Sequence, residues 1–245
     1  MDDELKQEAI LLYDRFTHEG LDRRLFMGRM VALAGSAAAA EALIASIAAS
    51  PAAAAVVPTD DTRLTTRTQD LAGGYKAYVA EPRTRSLKAT IVVIHENRGL
   101  NDHIRDVARR LGVAGFRAVA PDFLSPSGGT PANEDAARDA IGKLDLGKSV
   151  SDAVAILDEL SKSSRGGKVG AVGFCWGGGF VNRLAVAAGD ELDAGVSYYG
   201  PAPDASEAAK VQSPLLIHDA GLDDRVNRTS FPWVEALRAA GKPVK

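Results

Sequence analysis

Thr90-Ile91-Val92-Val93-Ile94 is a run of β-branched and apolar residues with no polar alternation. Such a run suits a strand covered on both faces, which in turn demands helices above and below a largely parallel sheet. The rest of the chain repeats the pattern. Tyr75–Val79, Phe116–Ala120, Val169–Phe174, Ala194–Tyr198 and Leu215–His218 read as further strands. Between them lie stretches with helical spacing: Ile104, Val107, Ala108 and Leu111 behind a cap at Asn101 or Asp102; Val150 to Leu160; Gly177 to Val186; and Pro232–Ala240. Alternating strands and helices imply an α/β fold with helices on both faces. In such sheets ligands gather at the carboxyl ends of the strands. Here those ends read His95-Glu96, Pro121-Asp122, Cys175, Tyr198-Tyr199-Gly200 and His218-Asp219.

Charge and cysteine content narrow the function classes. The net charge is -3, so no basic excess exists to neutralise phosphates, and nucleic-acid binding is not expected. The single cysteine, Cys175, allows neither an internal disulfide nor a multi-cysteine zinc site. It lies in Gly173-Phe174-Cys175-Trp176-Gly177-Gly178-Gly179, at a strand-to-helix junction. This is a G-x-C-x-G form of the nucleophile elbow. A nucleophile there occupies a strained turn, small neighbours let strand and helix approach, and the helix N-terminus favours a thiolate and an oxyanion. A buried structural cysteine in a glycine-rich turn is the competing reading. The segment matches neither the Walker phosphate loop nor the dinucleotide fingerprint.

The stretch Val92–Leu111, with His95-Glu96-Asn97-Arg98-Gly99, the elbow Gly173–Gly179, Tyr198-Tyr199-Gly200 and Pro214–Val226 together resemble the dienelactone hydrolase family from about Tyr75 to Ala240. The resemblance implies an α/β-hydrolase fold and a mostly parallel sheet with helices on both faces. It also implies a cysteine–aspartate–histidine hydrolase that opens lactones or small carboxylic esters without metal or organic cofactor. Carried over residue by residue, Cys175 is the nucleophile, and the backbone amides of Trp176 and Asn97 form the oxyanion hole. Glu96 holds the resting thiol, with a solvated strand-end carboxylate as its alternative. Asp219, Asp223 and Asp224 compete for the acid. The family places an apolar residue three positions after it, which Asp223 and Val226 satisfy.

The family histidine follows the acid, yet His18, His95, His103 and His218 all precede Asp223. Gly241–Lys245 falls where the family begins its last strand. The expectation is therefore a domain over 59–245 that lacks the last strand, the histidine loop and the last helix. Its activity is either that of an incomplete hydrolase or reduced to a remnant that binds small ligands. His218, at the rim, is the one candidate for a substitute base. Arg98 and Arg105 are candidates to meet a substrate carboxylate, and Ser125–Asn133 reads as a lid-like loop.

Residues 1–58 form a separate object. Asp22-Arg23-Arg24-Leu25-Phe26-Met27 is followed by an alanine-rich stretch in which only Glu41 is charged between Met30 and Thr59. This layout resembles a twin-arginine export signal with an Ala-x-Ala site near Ala53–Ala55. It implies the twin-arginine machinery as a partner and a periplasmic or extracellular location, with a cytoplasmic helical arm as the alternative. The stretch is too thinly apolar for a stable membrane anchor. Thr59–Asp70 reads as a linker or an opening edge segment.

Overall fold

A computed structural model describes residues 3–18, 21–48, 56–83, 87–163 and 167–245. Contacts divide the chain into two units, Met1–Ala55 and Val56–Lys245.

The first unit holds α1 (Asp3–His18), α2 (Arg23–Ala34) and α3 (Ala37–Ala48). Asp22 caps α2 by accepting from the amides of Arg24 and Leu25, and Gly35, in the left-handed region at φ 81, ends it. Phe26 and Met30 are buried with Ala9, Ala40 and Leu43, and the Phe26 ring stacks on Phe16 at 4.2 Å. No single helix among the described residues is long and apolar enough to cross a membrane. The pair α2 and α3 reaches that length only together, with a bend of 104° between them. The alanine site near Ala53–Ala55 lies outside the described residues.

The second unit is a seven-stranded sheet in the order β1-β2-β4-β3-β5-β6-β7. Its strands are β1 (Leu64–Leu71), β2 (Tyr75–Pro82), β3 (Thr90–Ile94), β4 (Arg117–Asp122), β5 (Val169–Phe174), β6 (Ala194–Tyr198) and β7 (Leu215–His218). The pairs β1–β2 and β2–β4 are antiparallel, and the others are parallel. Helices α4 (Asp102–Val113), α5 (Glu134–Gly142), α6 (Leu146–Ser163), α7 (Trp176–Ala187) and α8 (Asp224–Ala239) complete the unit. β3 serves both faces, as its unbroken apolar run requires. Val92 and Ile94 join the core under α6, α7 and α8, whereas Val93 packs with Ile104 and Ala108 of α4. On the α4 side an apolar groove of about 620 Å³ runs between Ile91, Val107, Leu111, Val172, Val196 and Leu216.

Three elements differ from the sequence expectation. The edge segment is a full strand, β1, whose apolar residues stand only at its ends, Leu64 and Leu71. Helix α5 was not expected, because only Ala137 and Ile141 of it are buried and its periodic signal is thin. Helix α8 begins at Asp224 rather than Pro232, since Asp223 caps it and Val226, Ser230, Trp233 and Leu237 form its buried stripe. Pro232 sits inside the helix on its exposed side. At the chain's end Val244 pairs in parallel with Leu215, and the Ile217 amide donates to the Lys245 carbonyl at 2.9 Å, adding to the edge of β7.

A buried ion cluster ties the start of this unit to α4. Asp106 accepts from the Val57 amide at 2.9 Å and lies 3.4 Å from Arg109, whose Nε donates to the Val57 carbonyl at 2.7 Å. The side chains of Asp106 and Arg109 are 2% and 3% exposed. Removing one partner of such a pair strands the other charge away from water. Asp106→Ala is therefore expected to destabilise the protein by about 3–5 kcal/mol, read as a lower urea midpoint at unchanged slope.

Candidate active site

The chain passes from β3 to β4 on one side and then crosses back to β5 on the other. The loops after β3 and β5 thus leave in opposite directions, and the carboxyl ends of these two strands form the switch point at which sheets of this kind bind ligands. The β3 loop begins with His95-Glu96-Asn97, and the β5 turn is Cys175.

Cys175 has φ 53 and ψ -116, a left-handed backbone that is uncommon outside glycine. It is the N-cap of α7, so the Trp176 amide belongs to the helix's first turn, where N–H groups lack intrahelical partners. The glycines around it are dictated by space. A Cβ on Gly173 would overlap the Gly177 carbonyl, and a Cβ on Gly177 would overlap the carbonyls of Ile94 and His95. Their absence lets the end of β3 lie directly on the first turn of α7, where His95 stacks on Trp176. The Cys175 amide donates to the Tyr198 carbonyl at 3.0 Å, so the β5–β6 ladder holds the turn from the other side. As a whole residue Cys175 is 6% exposed. The elbow is thus sheltered.

Glu96 is half-buried, and its Oε1 accepts from the Tyr199 hydroxyl at 3.3 Å. Tyr199 follows β6 and is the second non-glycine residue with positive φ, at 39, among the described residues. The charges of Glu96 and Cys175 both act on its phenol, whose pKa is raised chiefly by burial and then by those two neighbours. Glu96, Cys175 and Tyr199 therefore form one electrostatic cluster. The sequence reading gave Tyr199 no role. The signal was its position at a strand end, shared with the residues that did receive one.

The remaining predicted residues are placed as follows. Asp223 is the N-cap of α8 and accepts from the Val226 amide at 2.9 Å, which gives the three-residue spacing to Val226 a physical cause. Its other oxygen lies 3.6 Å from Arg225. Asp219 and Asp224 are exposed. His218 is exposed and stacks on the Tyr198 ring at 4.4 Å. Arg98 pairs with Glu134 at 3.3 Å, and Arg105 lies over the Tyr78 ring. The Ser125–Asn133 loop is pinned through Thr130, which bonds Asp122 and accepts from the Leu100 amide.

His95 is fully buried and stacks on Trp176 at 5.4 Å. Its Nε2 accepts from the Phe123 amide at 3.2 Å, which leaves the proton on Nδ1 to be donated to the Glu96 carbonyl at 2.7 Å. Both nitrogens are engaged, so the ring is a neutral strut that fixes the Glu96 peptide.

The sequence matches a known family. The model of the dienelactone hydrolase family covers residues 75–245, more than half the chain. The chain belongs to this family. It is 47% identical over 74 residues to the "Putative hydrolase fragment YghX" of Escherichia coli, a match covering 30% of this chain and 63% of that protein. It is 32% identical over 187 residues to a carboxymethylenebutenolidase, so named as "Putative", of Methylorubrum extorquens, covering 69% and 64%. The chain thus spans under two thirds of the length of both. The crystal structure of a "Putative Dienelactone Hydrolase" from Klebsiella pneumoniae superposes with TM-score 0.64 at 23% identity, covering 74% of this chain and 83% of that one. The fold is accordingly the α/β-hydrolase fold.

Burial holds the His95 pKa below the ordinary histidine value. A depressed histidine favours the folded state fully above the unfolded pKa, about 6.5, and this stabilisation is lost as pH falls below it. Between about pH 7 and pH 5 the unfolding free energy is expected to fall, by at most about 1.4 kcal/mol per pH unit from this group. In His95→Gln that slope flattens, as urea titrations across the range would show.

Proposed function

We propose that this family member is a hydrolase of lactones or small carboxylic esters that works through Cys175. The observation that supports it best is the elbow: a cysteine in a left-handed backbone at the N-terminus of α7, with β3 pressed against the next turn. The sulfur attacks the acyl carbon, and the tetrahedral oxyanion is received by the backbone amides of Trp176 and Asn97. Loss of the alkoxide gives a thioester, and water releases the acid. Glu96, which faces the same Tyr199 phenol as Cys175, tunes the thiol. Asp223 is the acid of the triad, the group that fixes a histidine's tautomer and steadies its cation. The carboxymethylenebutenolidase name of the Methylorubrum relative points to the same substrate class.

Within these 245 residues the base is the open part. Residues 224–245 contain no histidine. His95 has both nitrogens engaged by backbone and is held neutral, so it is not the base. His218 is at the rim but lies flat on Tyr198. The 245-residue chain is therefore expected to acylate on Cys175 and deacylate slowly. With p-nitrophenyl acetate it should release a burst of nitrophenolate close to one per chain, followed by turnover that His218→Ala leaves unchanged. A burst that survives Cys175→Ala removes the proposal.

We infer further that residues 1–58 direct export through the twin-arginine route. The arginine pair Arg23-Arg24 opens α2 directly after its cap, and the apolar stretch behind it is two short helices rather than one span. Substituting both arginines by lysine is expected to leave the protein in the cytoplasm, whereas the parent chain appears in the periplasmic fraction.

A further inference from the structure

Two non-glycine residues among the described ones have positive φ, and they stand on adjacent strands at the same edge of the sheet: Cys175 and Tyr199. Such strain collects where surrounding structure overdetermines a functional geometry. The Tyr199 turn is held from three sides. Its amide donates to the His218 carbonyl at 2.7 Å, and the preceding carbonyl, of Tyr198, accepts from Cys175. A Cβ on the following residue, Gly200, would overlap the backbone of Gly178 and Gly179 in α7. With no room to relax, the backbone aims the phenol at the β3 loop, where it donates to Glu96.

We propose that Tyr199 is a positioning residue for the cysteine site: its hydroxyl anchors the Glu96 carboxylate and thereby sets how readily the Cys175 thiol ionises. This rests on the reading of Glu96 as the carboxylate beside the nucleophile. The chemistry follows from the donor. A phenol at that position, kept protonated chiefly by burial and then by the neighbouring Glu96 charge, is an O–H donor throughout the working pH range. A carboxylate that accepts from it has its orientation and part of its charge committed to that bond. Released from the phenol, the carboxylate turns its full charge on the sulfur, and a like charge disfavours the thiolate.

Among the described residues, the titratable groups on the loops that carry and face the elbow are these. Glu96 comes from the β3 loop and Tyr199 from the β6 loop. His95, behind Trp176, is neutral. His218 lies on Tyr198, Asp223 caps α8, and Arg98 is paired with Glu134.

Cys175 is the chain's single cysteine, so alkylation by iodoacetamide reports on it alone. The rate of alkylation is measured against pH for the 245-residue chain and its variants. Tyr199→Phe, which keeps the ring, is expected to raise the midpoint by about half a unit, roughly threefold slower reaction below it. Glu96→Asp keeps the charge and breaks the same bond from the other end, so it should move the midpoint the same way even where Tyr199→Phe folds poorly. Glu96→Gln lowers the midpoint, and Tyr199→Phe adds nothing in that background. A Tyr199→Phe profile that overlies the parent, or an equal effect with and without Glu96, overturns the role of Tyr199 while the Glu96 reading stands. A Glu96→Gln profile that overlies the parent overturns both.

Discussion

The second unit depends on how closely two pieces of backbone approach. Between the end of β3 and the first turn of α7 there is no space for a single Cβ, because a methyl on Gly177 would enter the Ile94 and His95 carbonyls. The same exclusion recurs between Gly173 and Gly177, and between Gly200 and Gly178–Gly179. Three strand ends, β3, β5 and β6, are thereby drawn onto one helix N-terminus. Reactive groups that are far apart in sequence, Glu96, Cys175 and Tyr199, become neighbours because the glycines remove what would separate them. The strain at Cys175 and Tyr199 is the consequence: each takes a left-handed backbone because the packing around it leaves no other path.

That packing also sorts the polar groups by role. His95 is drawn inside by the same approach and loses its freedom to titrate, since its two nitrogens are taken up by the Phe123 amide and the Glu96 carbonyl. Glu96, one residue later, keeps partial exposure and a side-chain donor. Adjacent residues thus become a strut and a half-buried carboxylate that accepts from Tyr199. The difference lies in which side of the β3 terminus each faces. A neutral buried imidazole stacked on Trp176 also stiffens the residue whose amide is assigned to the oxyanion hole.

The parallel core was readable because its signals are local and strong. Thr90–Ile94, Val169–Phe174, Ala194–Tyr198 and Leu215–His218 have the boundaries expected of them, each being a short apolar run closed by polar residues. β1 was less legible because its middle is polar and it gains its partner only through the register with β2. Helix α8 was misjudged at its start because Pro232 looks like a first-turn residue. The true start is set by the Asp223 side chain, and a capping aspartate in an acidic loop is hard to tell from its neighbours. The elbow was visible from its glycines. Tyr199 was visible as a strand end, but its bond to Glu96 was not, because a hydrogen bond across 103 residues of chain has no local signature.

Asp223 shows why a family spacing can carry two meanings. The apolar residue three positions on is Val226, whose amide donates to Asp223 and whose side chain belongs to the buried stripe of α8. Capping geometry alone would maintain that spacing, whatever chemistry the carboxylate performs. Yet a cap uses one oxygen, here Oδ1. The second oxygen lies 3.6 Å from Arg225, in a side chain that is 17% exposed. A carboxylate held by a helix cap through one oxygen, with Arg225 facing the other, has the rigidity that orienting an imidazole would need. The structural and the catalytic readings of Asp223 are therefore not rivals: the cap on α8 is what would hold the acid still.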